Sequence, residues 1–180
     1  MEESTSASPV DLIVAIRDRL REKISDMTVS NCFVCDSPVP PVWPSGNQVV
    51  TICLGDAHLD EPLWDGGGLD QLSYHRPVLV TCLVRCFMDS VPKAESQLLN
   101  ETRGLMALRA KVLSAILRND ECPGDWRSFW PKVGGRYFLR DGGFIPRSET
   151  SPRYVAGEAA QWLGITITCD TLIDEELPIL

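Results

Sequence analysis

The sequence has no apolar run long enough to cross a bilayer. Its longest, Pro77 to Val84, stops at Arg85, well short of the ~20 residues a spanning helix needs. It has no basic surplus either. Against 25 Asp and Glu stand 17 Lys and Arg, a net charge of −8, so the phosphate-neutralising excess of a nucleic-acid reader is missing. Histidine is scarce, with His58 and His75 alone, which leaves few pairings for a Ser-His or Cys-His site. The Gly-x-Ser-x-Gly elbow, the His-Glu-x-x-His zinc helix and the phosphate-binding Gly-Lys-Ser/Thr loop are all absent. The first residues, Met1 to Ser8, lack the basic and apolar segments of a secretory signal, so synthesis in the cytoplasm is expected. Seven cysteines is an odd number, and without an export signal free thiols are expected rather than a disulfide framework.

What is present has the balance of a globular chain. Of 180 residues, 44% are hydrophobic and 23% charged, and a chain of this size can bury a core without a disulfide or metal staple. Residues 1–8 read as a flexible leader, 9–172 as a single α+β domain, and 173–180 as an acidic tail. Ser8-Pro9-Val10-Asp11 is a helix start. Leu12, Ile13, Ile16, Leu20, Ile24 and Met27 then fall on one face, predicting a helix over 9–27. Residues 31–35 predict a short strand. The proline-bearing segment 37–44 cannot be regular structure. Strands are predicted over 48–54 and 76–88, joined by a long loop, 55–75. A second helix is predicted from Asp89 to about Asn119, with Gly104 weakening its middle by about 1 kcal/mol relative to Ala. An irregular segment, 120–147, precedes a clear alternating strand over 162–170. Helices and strands do not alternate as βαβ units, so two helices packed on a mostly antiparallel or mixed sheet are expected.

The chemistry-bearing residues are few. Cys32-Phe33-Val34-Cys35 has metal-ligand spacing, but no second such pair exists to complete a zinc site. His58, His75 and Cys122 could join it only through folding. The following prolines exclude the helix that a thioredoxin-like pair opens. Two ordinary strand cysteines are the preferred reading, and a thiol-dependent enzyme at Cys32 and Cys35 the alternative. Cys53, Cys82, Cys86 and Cys169 read as small hydrophobes inside a sheet. The acids of the long loop lack calcium-loop spacing, and Gly66-Gly67-Gly68 reads as a loop apex rather than a phosphate cradle. No cofactor or metal is expected. Leu59, Leu63, Trp64 and Leu69 would sit exposed in that loop without reason, so the loop is expected to dock on a neighbour. Residues 127–147 form the one locally basic stretch, with Arg136, Arg140 and Arg147, and are expected to meet an acidic patch of another subunit.

The order of these segments resembles the tail terminator, or tail-completion, proteins of long-tailed bacteriophages, the minor tail protein U type. The shared features run over about residues 9–172: the helix from Pro9 to Met27, the proline link from Pro38 to Pro44, two strands flanking a long loop, a helix, the Gly143-Phe144-Ile145-Pro146-Arg147-Ser148 region, and the final strand from Trp162 to Asp170. The resemblance implies a non-enzymatic virion protein. Its chains would form a homo-oligomeric ring of about six, capping the tail tube protein and meeting the head connector or neck protein. DNA would pass the lumen without specific binding, and no membrane would be involved. The resemblance implies no catalytic residues. Another head–tail joining protein is the nearest alternative.

Overall fold

The N-terminal stripe forms helix α1 (Pro9–Lys23), which buries Leu12, Ile13, Ile16 and Leu20. It ends four residues before the stripe does. Ile24 and Met27 stay buried because a turn follows, in which Ile24 N–H donates to Leu20 O and Met27 N–H to Ile24 O. The protein is seen here as a computed structural model that describes residues 9–57, 71–86, 91–118, 132–133, 136–137, 145–158 and 160–176.

The strands are β1 (Cys32–Val34), β2 (Gln48–Leu54), β3 (Gln71–His75), β4 (Val78–Cys86), β5 (Lys132–Val133), β6 (Arg136–Tyr137), β7 (Ile145–Glu149), β8 (Arg153–Ala156), β9 (Gln161–Asp170) and β10 (Leu172–Glu176). The main sheet runs β1-β2-β4-β9-β7, with β8 beside β7 on the same flank of β9. Among the described residues only β1–β2 is parallel. The fold is therefore α+β on a mixed, open sheet, as expected. β5 and β6 form a separate two-stranded pair.

Two helices were expected and three are described. The segment after β4 divides into α2 (Val91–Leu99) and α3 (Leu105–Leu117). The break has a local cause. The Asn100 side-chain oxygen accepts from the backbone N–H of Thr102 (3.0 Å) and Arg103 (2.8 Å), an Asx turn that competes with helix. Gly104 sits so close to this turn that a Cβ would lie 2.6 Å from Asn100 O.

The helices cover one face of the sheet. Leu12, Ile16 and Leu20 of α1 and Leu105, Leu108, Val112 and Ile116 of α3 meet Val50, Ile52, Val80, Cys82, Ile165 and Ile167 in one core. Residues of period two on β2, β4 and β9 face it. The intervening residues face the other way, where Val49, Leu83 and Trp162 form a smaller cluster with Phe33, Trp43 and Val155 against it. The proline-bearing segment lies on that face. Trp43 stacks on Trp162 at 4.9 Å between ring centroids, and Thr51 Oγ1 donates to Pro38 O at 2.8 Å. Thr51, Thr81 and Thr166 stand in one row across β2, β4 and β9, and the Thr81 and Thr166 hydroxyls share a hydrogen bond of 3.0 Å.

One segment expected to be loop and one expected to be tail pair with each other. β3 and β10 form an antiparallel ladder, from His75↔Leu172 to Gln71↔Glu176. It continues the register of β4 and β9, from Val78↔Cys169 to Cys86↔Gln161, without a slip. The single strand expected over 76–88 is thus interrupted at Arg76-Pro77, where proline brings no N–H to the ladder. The joint is held by four hydrogen bonds. Arg76 N–H donates to Thr171 O (3.0 Å) and Gly55 N–H to Pro77 O (2.7 Å). Arg76 Nε donates to Gly55 O (3.1 Å), and Thr171 Oγ1 to Arg76 O.

Candidate functional site

The thiols are built for burial. Cys32 opens β1 in the helix-side core, and burial pushes its pKa up to about 11, although Arg21 and Arg17 pull it back. Cys35 is half-buried and also raised by burial, with its Sγ donating to Ser37 O at 2.8 Å. Burial pushes Cys53 to about 11 and Cys82 to about 12, and raises Cys86 and Cys169 too. A thiolate is the nucleophile and the metal ligand, so these environments oppose both roles at neutral pH. The six described cysteines are free. Among the described residues no group of three or more His, Cys, Asp and Glu could hold a metal ion. His75 is exposed, with Nδ1 3.6 Å from Asp170 Oδ1. His58 and Cys122 lie outside the described residues.

The residues expected to mediate assembly are placed only in part. Leu59, Leu63, Trp64, Leu69 and Arg140 lie outside the described residues. Arg136 stands on β6, opposite Val133 of β5. Arg147 is exposed at the register shift of β7, between Pro146 and Ser148. Its Nε lies 3.7 Å from Asp170 Oδ2, so Arg147, Asp170 and His75 gather where the main sheet passes into the β3–β10 ribbon.

The edges of the main sheet differ from those of the ribbon. An edge strand offers unpaired N–H and C=O groups to another chain unless something blunts it. The outward groups of Cys32 on β1 are taken. Its N–H donates to Thr28 O at 3.0 Å, and its carbonyl accepts from Arg21 Nε (2.9 Å) and Nη2 (2.5 Å). The opposite edge is interrupted by Pro146, by the register shift at Arg147, and by Pro152 before β8. Among the described residues, β3 pairs only with β10 and β10 only with β3.

A cation-lined groove was not foreseen. It lies between the end of α1 and the second half of α3, encloses about 610 Å³, and is lined by Arg19, Lys23, Lys111 and Arg118 with no acid in the lining. Arg19 is its fixed part. This buried side chain donates from Nε to Ala115 O (3.2 Å) and from Nη2 to Arg118 O (2.7 Å), which satisfies the last carbonyls of α3. Lys23 Nζ lies 3.0 Å from Glu22, and Lys111 Nζ 2.9 Å from Asp26. The signal was available. Arg19 and Lys23 are four apart on α1, and Lys111 and Arg118 are seven apart on and just past α3, spacings that share a helix face.

No family model matches the chain, and no curated protein matches it. Among solved structures it is similar to a chain described as "Virion of native gene transfer agent (GTA) particle", at 13% identity and TM-score 0.38, covering 88% of this chain and 93% of that one. It is also similar to one described as "Extracellular Contractile Injection System, PVC sheath/tube terminator in extended state", at 13% identity and TM-score 0.40. That match covers 98% of this chain and 62% of the other. Both scores are below the level at which two chains share a fold. Among the described residues no helix is long and apolar enough to cross a membrane.

Proposed function

We propose that the protein is a structural component of a phage-like tail, of the tail-terminator type. Its chains close into a ring, about six in number, that caps the tail tube and meets the head connector. It works by shape and contact rather than by catalysis. The observation that carries this reading is the β3–β10 ribbon. It extends the register of the central β4–β9 pair past the main sheet, while the outward groups of Cys32 on one edge are taken within the chain and the other edge is broken by Pro146 and the register shift. A protein that must join its neighbours in one defined way benefits from closing unwanted edges and leaving one element outside the sheet.

The six raised thiols support the non-enzymatic side of the reading. Leu59, Leu63, Trp64 and Leu69 in the loop, and Arg136, Arg140 and Arg147 in the basic stretch, remain our proposed interface residues. A ring needs two different patches on each chain, and these two stretches provide them. Light scattering across a range of concentrations, with negative-stain images of the same sample, tests the ring. Closed particles of about six chains are expected. Deleting 59–70 should give a folded monomer; a ring that survives the deletion removes the loop from the interface.

A further inference from the structure

Spacing along the chain pairs Cys32 with Cys35, but the fold separates them. Cys32 and Val34 pack in the helix-side core, whereas Phe33 packs on the other face with Val49, Leu83 and Trp162. Side chains alternate along a strand, so Cys35 falls on the face of Phe33, away from the helices and from Cys32. Burial raises its pKa, and contacts with Ser37 and with the Thr51 hydroxyl oppose that rise, which places the thiol beside Thr51. Cys53 is on the same face. It alternates with Ile52 and Leu54, which pack on the helix side.

The register sets the two thiols side by side. β1 and β2 run parallel, with Cys32↔Val50, Phe33↔Thr51 and Val34↔Ile52. One step on, Cys35 N–H still donates to Ile52 O at 3.0 Å, which brings Cys35 level with Cys53. Neighbouring strands lie about 4.8 Å apart, and a disulfide joins Cα atoms roughly 4.4–6.8 Å apart. The thiols also sense each other, since after burial a charge on Cys35 is the next influence raising Cys53. Among the described cysteines no other two stand opposite in the register. The pair also brackets the proline-bearing segment, which Thr51 and Trp162 hold on this face.

We propose that Cys35 and Cys53 are a redox modification site, joined by a disulfide oxidant such as oxidised glutathione into a bond that staples the proline-bearing segment to the sheet. Cys35 is half-buried and Cys53 buried, so Cys35 reacts first. Its thiolate attacks one sulfur of the oxidant, whose S–S bond breaks, and the departing half takes up a proton. Cys53 then loses its proton and attacks the Cys35 sulfur, expelling the second half as a thiol. The pair gives up two electrons and two protons, and the oxidant becomes two thiols. Cys35 Sγ surrenders its hydrogen bond to Ser37 O. Because burial raises both thiols, exchange is slow at neutral pH and quickens as pH rises. In a reducing compartment the pair stays as two thiols.

The test uses the full chain, reduced and then held with oxidised glutathione at a mildly alkaline pH where circular dichroism shows it folded. Remaining thiols are blocked with N-ethylmaleimide, and the digest is mapped by mass spectrometry. A Cys35–Cys53 peptide pair is expected as the main product, with the chain lighter by two hydrogens. Cys35→Ser should abolish it. The bridged chain should unfold at a higher urea concentration than the reduced one, because the crosslink restricts the unfolded chain. Three results overturn the site: glutathione left on Cys35 with Cys53 free, a Cys32–Cys35 bond instead, or both thiols still free. An unchanged or lowered urea midpoint in the bridged chain overturns the staple. The mapping of the unaltered chain decides the pairing even if Cys35→Ser fails to fold.

Discussion

The central antiparallel ladder has two halves that share one register and little else. The inner half, β4 with β9, has β2 on one flank, β7 and β8 on the other, and helices over one face. The outer half, β3 with β10, pairs only with itself among the described residues. The side chains follow the surroundings. Val78, Val80, Cys82, Leu83 and Val84 are buried in the inner half. In the outer half Tyr74 reaches the core and His75 is exposed. A backbone ladder thus continues past the main sheet, where Arg76, Pro77 and Thr171 tie the joint. Burial holds the inner half, and in the outer one the ladder and the joint act beside the burial of Tyr74.

That contrast can be tested by perturbing each half in turn. The broadest effect is expected at alkaline pH, where several buried thiols of the main sheet act together. Cys32 and Cys53 are raised from 9.0 to about 11 and Cys82 to about 12. Above pH 9 the unfolded chain releases thiol protons that the folded chain keeps. Stability is therefore intact below that value and falls as pH rises through 9 to 11. Denaturant melts at a series of pH values should show the decline. Ionisation of Cys32, Cys53 or Cys82 in the folded chain at pH 9 would contradict their burial in the main sheet.

Ile165 is central on β9 and buried in the helix-side core. Ile165→Ala should cost about 2–5 kcal/mol in a urea titration, from lost burial and the cavity left behind. Gly164 faces the opposite side, where a Cβ would lie 2.7 Å from Leu83 Cδ2. Gly164→Ala should cost about 1–3 kcal/mol through overpacking, and a smaller loss would show that Leu83 can yield. In the outer half, His75→Ala removes only a contact between exposed side chains, with Asp170. It should change stability by less than about 0.5 kcal/mol. A loss as large as that at Ile165 would mean that His75 does more for the fold than its exposed contact with Asp170 accounts for.

The inner half was legible in the sequence, and the outer half was not. Val-rich Val78–Cys86 and alternating Gln161–Asp170 carry the pattern that burial imposes. Gln71-Leu72-Ser73-Tyr74-His75 and Leu172-Ile173-Asp174-Glu175-Glu176 carry little of it. They therefore read as the end of a loop and an acidic tail. The split of the second helix was half legible. Gly104 marked the weak place, but the Asn100 turn that breaks the helix needed side-chain geometry to be seen. The cationic groove was missed for a different reason. Its residues come from two helices far apart in the chain, and neither helix is remarkable for charge alone. The basic stretch that did stand out lies mostly outside the described residues, apart from positions on β5, β6 and β7.

The unbroken register through Arg76-Pro77 and Thr171 also limits which insertions and deletions this chain can accept over generations. Side chains alternate along a strand, so one residue added at the joint on either strand would turn every outer position to the opposite face. Tyr74 would leave the core and His75 would enter it. A compensating residue on the other strand would restore the pairing but not the facing. Related sequences should therefore keep 71–86 and 161–176 at constant length, whereas residues may come and go between 58 and 70 without changing this register. The joint works as a length gauge, and an alignment of relatives would show it as a gapless block beside a gapped one.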